Sequence, residues 1–171
     1  YDTVLKALAM LPPDLQWRFT HIGGGEELPG LKALAAELGI ADKIVWTGSM
    51  DQRDVLTHYR EADLFTLACR ITADGDRDGL PNVIPEAMSV GVLVITSPVA
   101  ATTEAVTQGV TGLVVPVEST EVWVSALRRL STDDVFAEKL RRAARIWVEE
   151  NFNAHGNAER VLALFKRSIG P

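Results

Sequence analysis

Apolar residues recur along this chain in two alternating rhythms. In YDTVLKALAML (1–11), Val4, Leu5, Leu8 and Leu11 fall at helical spacing. Pro12 and Pro13 end that segment, because neither can donate to a continuing helix. WRFTHI (17–22) reads as a strand and runs into Gly23, Gly24 and Gly25. LPGLKALAAELGI predicts a second helix, with Gly39 as its C-terminal cap. IVWTG (44–48) is a short β-branched strand ending on glycine. Asp51 is placed to cap a helix over DQRDVLTHYREA, with Val55, Leu56 and Tyr59 on one face. LFTLAC (64–69) and VLVITSPV (92–99) are almost continuously apolar, the pattern of parallel strands covered on both faces. Between them lie GDRDGLPNVIPEAM (75–88) and a helix over VIPEAMSV that stops at Gly91. TTEAV forms a short turn or helix, and TGLVVP (111–116) a further strand. Three helical segments complete the chain: STEVWVSALRRL, DDVFAEKLRRAARIWVEENF and HGNAERVLALFKRSI, with a break at Asn153 to Gly156.

Strands alternating with helices predict right-handed crossovers and a Rossmann-like, doubly wound parallel sheet: an α/β domain spanning 1–171, with helices at its C-terminal end. Such sheets receive ligands beyond the carboxyl ends of their strands. Gly23–Gly25, Gly48, the 70–82 loop and Ser97–Thr103 all fall there. The 70–82 loop is longer than the roughly 2–6 residues usual for a strand-to-helix connection. Gly79 carries no side chain, so a ligand can approach its backbone. Pro85 must lie in the first helical turn, which starts the helix near Asn82 as its N-cap. The amides of Gly79, Leu80, Val83 and Ile84 are then expected to be free and to attract an anion such as phosphate. Glu86, one turn into the helix, and Asp78, on the loop before it, offer carboxylates at the same mouth. Phosphate on amides together with hydroxyls on carboxylates describes a nucleotide sugar.

Composition narrows the alternatives. The 171 residues carry a net charge of −6, which argues against general affinity for nucleic acid. One cysteine, Cys69, excludes an internal disulfide and suits a reducing compartment. No apolar run reaches the ~18 residues of a membrane span, and no signal peptide opens the sequence. The chain begins at Tyr1, already in helical rhythm, and reads as a piece of a longer protein. His21, His58 and His155 have no metal-ligand spacing, so no metal is expected. Gly23–Gly25 departs from the dinucleotide fingerprint. Paired carboxylates also occur in glycosidases, but the parallel-sheet context disfavours that reading. Arg70 at a strand end reads as a surface residue or a phosphate ligand. Ser97 and Glu104 edge the site. Arg128, Arg129, Arg141, Arg142 and Arg145 make basic helix faces, read as solvated, with anionic lipid or another domain as the alternative contact.

At DGLPNVIPEAM the chain resembles the retaining glycosyltransferases of family 4 and their E-x7-E motif, with Asp78 standing in place of the first glutamate. HIGGGEEL, LGIADKIVWTG, YREADLFTLAC, and SPVAATTEAV followed by GVTGLVVP resemble further family motifs, and together they cover nearly all of residues 1 to 152. The resemblance implies the C-terminal, donor-binding half of a GT-B fold. It implies transfer of a hexosyl group from a nucleoside-diphosphate sugar to a glycan, lipid or small-molecule acceptor, in polysaccharide biosynthesis, in the cytoplasm or at the inner face of the membrane. It implies Glu86 on the ribose hydroxyls and Asp78 at the catalytic position beside the transferred sugar. The segment Gly79, Leu80, Pro81, Asn82, Val83 and Ile84 would lie on the sugar and distal phosphate. Gly24 and Gly48 would border the donor, Gly48 next to its base. No metal or other cofactor is implied. An acceptor-binding amino-terminal domain is the implied partner, absent from this sequence. So is the first strand of this half, with its phosphate-neutralising Arg and Lys. Without that strand, two central strands are expected to have an unpaired edge, and the chain alone is expected to be inactive and marginally stable. The alternative readings are a non-catalytic nucleotide-sugar-binding module and a nucleotide-sugar epimerase of the same fold.

Overall fold

The computed structural model describes residues 1–70, 80–99 and 101–169. The elements follow the predicted rhythm. Helix α1 (Asp2–Ala9) leads to strand β1 (Phe19–Ile22), α2 (Leu28–Glu37), β2 (Ile44–Gly48), α3 (Gln52–Glu61) and β3 (Leu64–Leu67). Then come α4 (Val83–Ser89), β4 (Leu93–Thr96), α5 (Thr102–Ala105), β5 (Leu113–Val114), α6 (Thr120–Thr132), α7 (Asp134–Asn151) and α8 (Ala154–Ile169). Strand β5 is shorter than the apolar run around it, because its ladder with β4 spans only Ile95–Leu113 and Thr96–Val114. Gly39 follows α2 with φ +69, the left-handed turn that glycine adopts without strain.

All paired strands are parallel. Strand β4 shows why its sequence is continuously apolar: all four of its residues are buried. Leu93 and Ile95 enter a cluster with Val4 and Leu5 of α1, Ala35 of α2 and Trp123 of α6. Val94 points the other way, into a cluster with Tyr59 of α3 and Ile84, Ala87 and Met88 of α4. Helices therefore cover both faces, as a doubly wound sheet requires. Trp123 is fully buried and its indole Nε1 donates to the Pro116 carbonyl at 3.1 Å. Thr3 Oγ1 donates to Val117 O at 2.8 Å and ties α1 to the same corner.

The described strands form two parallel sheets, with orders β1–β2 and β3–β4–β5. Strands β1 and β3 are each paired on one side only. A cleft of about 1100 Å³ opens between them, walled by Thr20, His21, Phe65 and Thr66 and closed below by Val4 and Leu8. Strand β3 was expected to be covered on both faces, yet all four of its residues are only half-buried. The open edge is the physical reason: among the described residues no neighbouring strand shields that side.

Candidate functional site

The site is built from the loops at the carboxyl ends of the strands. Strand β2 ends at Gly48, whose φ of +73 turns the chain sharply. The Gly23 amide donates to Gly48 O at 2.9 Å, and Thr47 Oγ1 donates to His21 O at 3.1 Å. A Cβ on Gly24 would lie 3.9 Å from Ser49 Oγ. The structure thus brings Gly24 and Gly48, both singled out from the sequence, into one wall of closely approaching backbone. Three residues on, the Asp51 side chain accepts from the Asp54 amide at 3.0 Å and caps α3 as predicted.

That cap places Gln52 at the first position of α3, facing the start of α4. Gln52 Nε2 donates to Glu86 Oε1 at 3.1 Å. Glu86 is half-buried in the first turn of α4. The Tyr59 ring, two turns along α3, is buried and meets Phe65 edge-on at 5.5 Å between centroids. Its phenol is pushed up to about 12, first by burial and then by the negative charge of Glu86. The sequence reading missed Gln52. The signal was available: a side chain directly after an N-cap is held at a helix start and projects from it.

The start of α4 differs from expectation in two respects. Asn82 stands at the cap position but has helical backbone angles (φ −56, ψ −27), and its side chain makes no capping bond. A capping side chain needs an extended backbone to reach the following amides, which is why Asn82 does not cap. The Ile84 amide is not free either: it donates to Pro81 O at 3.0 Å in a tight first turn. Among the described residues, no such backbone partner holds the amides of Asn82 and Val83. Leu80 packs at the rim of the cluster around Ile84 and Met88. Asp78 and Gly79 lie outside the described residues.

A second group of contacts knits the neighbouring edge. Ser97 Oγ donates to Cys69 O at 2.7 Å, and Thr102 Oγ1 donates to Ser97 O at 2.7 Å. Arg70 Nη2 reaches Asp2 at 3.0 Å and donates to Thr3 Oγ1 at 3.0 Å, beside the start of α1. Burial alone would raise the Asp2 carboxyl. The Arg70 guanidinium hydrogen-bonded to it outweighs this and holds it below the usual carboxylate range. Arg70, read as a surface residue or a phosphate ligand, is thus engaged by a carboxylate. Among the described residues no group of three or more His, Cys, Asp or Glu could hold a metal ion. No described helix is long and apolar enough to cross a membrane.

A parallel α/β domain with a carboxylate held at the carboxyl edge is the architecture of a nucleotide-binding domain. Residues 1–147 match the family described as glycosyl transferases group 1, and the chain belongs to that family. It is 35% identical, over 153 residues, to a GDP-mannose-dependent alpha-(1-6)-phosphatidylinositol monomannoside mannosyltransferase of Mycobacterium tuberculosis, covering 86% of this chain and 39% of that protein. The fold is similar to sucrose-phosphate synthase from Thermosynechococcus elongatus, with a TM-score of 0.82 at 24% identity over 98% of this chain and 42% of the other. It is equally similar to Anabaena Alr3699/HepE in complex with UDP, with a TM-score of 0.82 at 18% identity over 95% of this chain and 44% of the other. These neighbours are GT-B glycosyltransferases, and the chain corresponds to their C-terminal half. It spans about two fifths of the length of the curated relative.

Proposed function

We propose that this chain is the donor-binding half of a retaining, family 4 glycosyltransferase that moves a hexosyl group from a nucleoside-diphosphate sugar to a glycan, lipid or small-molecule acceptor. The observation that supports it is the Glu86 carboxylate, held by Gln52 where two helix starts meet at the carboxyl edge of the sheets. A fixed carboxylate there accepts hydrogen bonds from the two ribose hydroxyls. The backbone wall of Gly24 and Gly48 receives the base, since neither residue has a side chain to obstruct it. Leu80, Pro81, Asn82 and Val83 line the diphosphate and sugar, with the amides of Asn82 and Val83 as donors, while Ile84, fully buried and with its amide bonded to Pro81 O, supports that turn from the core. The resemblance assigns Asp78 and Gly79, which lie outside the described residues, to the transferred sugar and the distal phosphate.

The chemistry follows from that arrangement. As the anomeric carbon–oxygen bond breaks, negative charge grows on the departing diphosphate. Preorganised N–H dipoles stabilise that charge without reorganising. An acceptor hydroxyl, positioned by the partner amino-terminal domain, attacks the face the diphosphate leaves, and its proton passes to the departing diphosphate oxygen. No metal takes part in this scheme. The reaction is assigned to the cytoplasm or the inner face of the membrane. UDP seen with HepE supports a nucleoside diphosphate as the ligand class. Calorimetric titration of UDP and GDP into the full-length polypeptide tests the reading. Glu86→Ala is expected to weaken the preferred nucleotide by about 10- to 100-fold, the worth of hydrogen bonds to a charged group. Unchanged affinity would contradict it.

A further inference from the structure

We propose that Gln52 is a positioning residue that fixes the Glu86 carboxylate for recognition of ribose; this rests on the donor reading of Glu86 given above. Two independently anchored helix starts carry the pair. Asp51 holds the first turn of α3 through the Asp54 amide at 3.0 Å, so the Gln52 backbone is fixed. The first turn of α4 is fixed in turn by Ile84 N to Pro81 O and Glu86 N to Asn82 O, at 3.0 and 3.1 Å. The side-chain bond Gln52 Nε2 to Glu86 Oε1 closes the span between them. Among the described residues that carboxylate accepts no other hydrogen bond, so Oε2 stays open to a ligand.

The choice of an amide has a chemical consequence. A lysine or arginine in place of Gln52 would neutralise Glu86 and weaken it as an acceptor. A neutral amide orients the carboxylate and leaves its charge available to ribose hydroxyls. Glutamate on a helix otherwise samples several rotamers, and binding would have to arrest them. Restraining Oε1 beforehand lowers that cost, so Gln52 acts on affinity through Glu86 and through the ribose alone.

The test compares UDP with 2′,3′-dideoxyuridine diphosphate, or the guanosine pair if GDP binds more tightly, in the full-length polypeptide. The unmodified protein is expected to prefer the ribonucleotide by at least about tenfold. Gln52→Ala and Gln52→Leu are each expected to cut that preference by about three- to tenfold, leaving dideoxynucleotide affinity unchanged. The unchanged dideoxy affinity also reports that each variant is folded. Equal weakening of both nucleotides, or an undiminished preference, overturns the positioning role while leaving the Glu86 reading intact. Absence of any ribose preference in the unmodified protein overturns the Glu86 reading, and this proposal with it.

Discussion

His21 and Trp46 lie opposite each other in the β1–β2 ladder, with ring centroids 5.2 Å apart. The Tyr1 ring closes on His21 from another side at 4.8 Å. His21 is 6% exposed, and its Nδ1 has no hydrogen-bond partner among the described residues. Burial pushes its pKa below the ordinary value of 6.5. The folded protein therefore resists protonation there, while the unfolded chain takes the proton from about pH 6.5 downward. Stability is expected to fall as the pH drops from 7.5 to 5.5. The urea midpoint at the two values measures this, and His21→Phe should flatten the dependence. A variant as pH-sensitive as the parent would show that other groups govern the slope.

Gly112 precedes β5 at a point of close approach. A Cβ there would lie 2.7 Å from Val94 O and 2.8 Å from Val106 Cγ1. The first obstacle is main chain in a fully buried strand and cannot swing aside. Gly112→Ala is expected to cost about 1–3 kcal/mol, the usual penalty of overpacking. Thermal or denaturant unfolding checks it, and an unchanged midpoint would mean the strand yields.

The Asp51 cap offers a smaller effect of the same kind. Asp51→Ala removes the acceptor of the Asp54 amide and is expected to cost about 1 kcal/mol. Since Gln52 is set by the same turn, nucleotide affinity should decline with stability. A loss of stability with affinity untouched would separate the cap from the site.

The unpaired edges of β1 and β3 yield a further prediction. In residues 1–171 taken alone, an extension of β-branched residues fused ahead of Tyr1 is expected to enter the cleft and pair with both strands. Amide exchange at 19–22 and 64–67 should slow by at least about tenfold, since pairing sequesters those groups from water. A control extension with proline at alternate positions cannot complete the ladder and should leave exchange unaltered. Equal behaviour of the two extensions would show that the cleft does not accept a strand.

Element order was legible because each segment's apolar period matched its surroundings: four buried residues in β4 read as a run, and one-sided α3 read as a stripe on Val55, Leu56 and Tyr59. The Asp51 cap was legible because capping is local. Asn82 does stand at the cap position, but its side chain makes no cap, because capping depends on backbone angles as well as on residue type and the tight Pro81–Ile84 turn already sets helical angles there. The half-burial of β3 was invisible to periodicity, since composition records what a strand can cover and not which neighbour stands beside it. The resemblance did lead to an expectation of two strands with an unpaired edge, and β1 and β3 are such strands. Gln52 and Asp2 escaped notice because their partners, Glu86 and Arg70, are 34 and 68 residues away and are joined to them only by the fold.

A crystal structure of the protein with UDP or GDP bound tests the central claim most directly. The diphosphate is expected at the start of α4, within reach of the Asn82 and Val83 amides, and the ribose hydroxyls within hydrogen-bond distance of Glu86. A nucleotide bound elsewhere, or a Glu86 carboxylate turned into solvent with the ribose held by other groups, would contradict it.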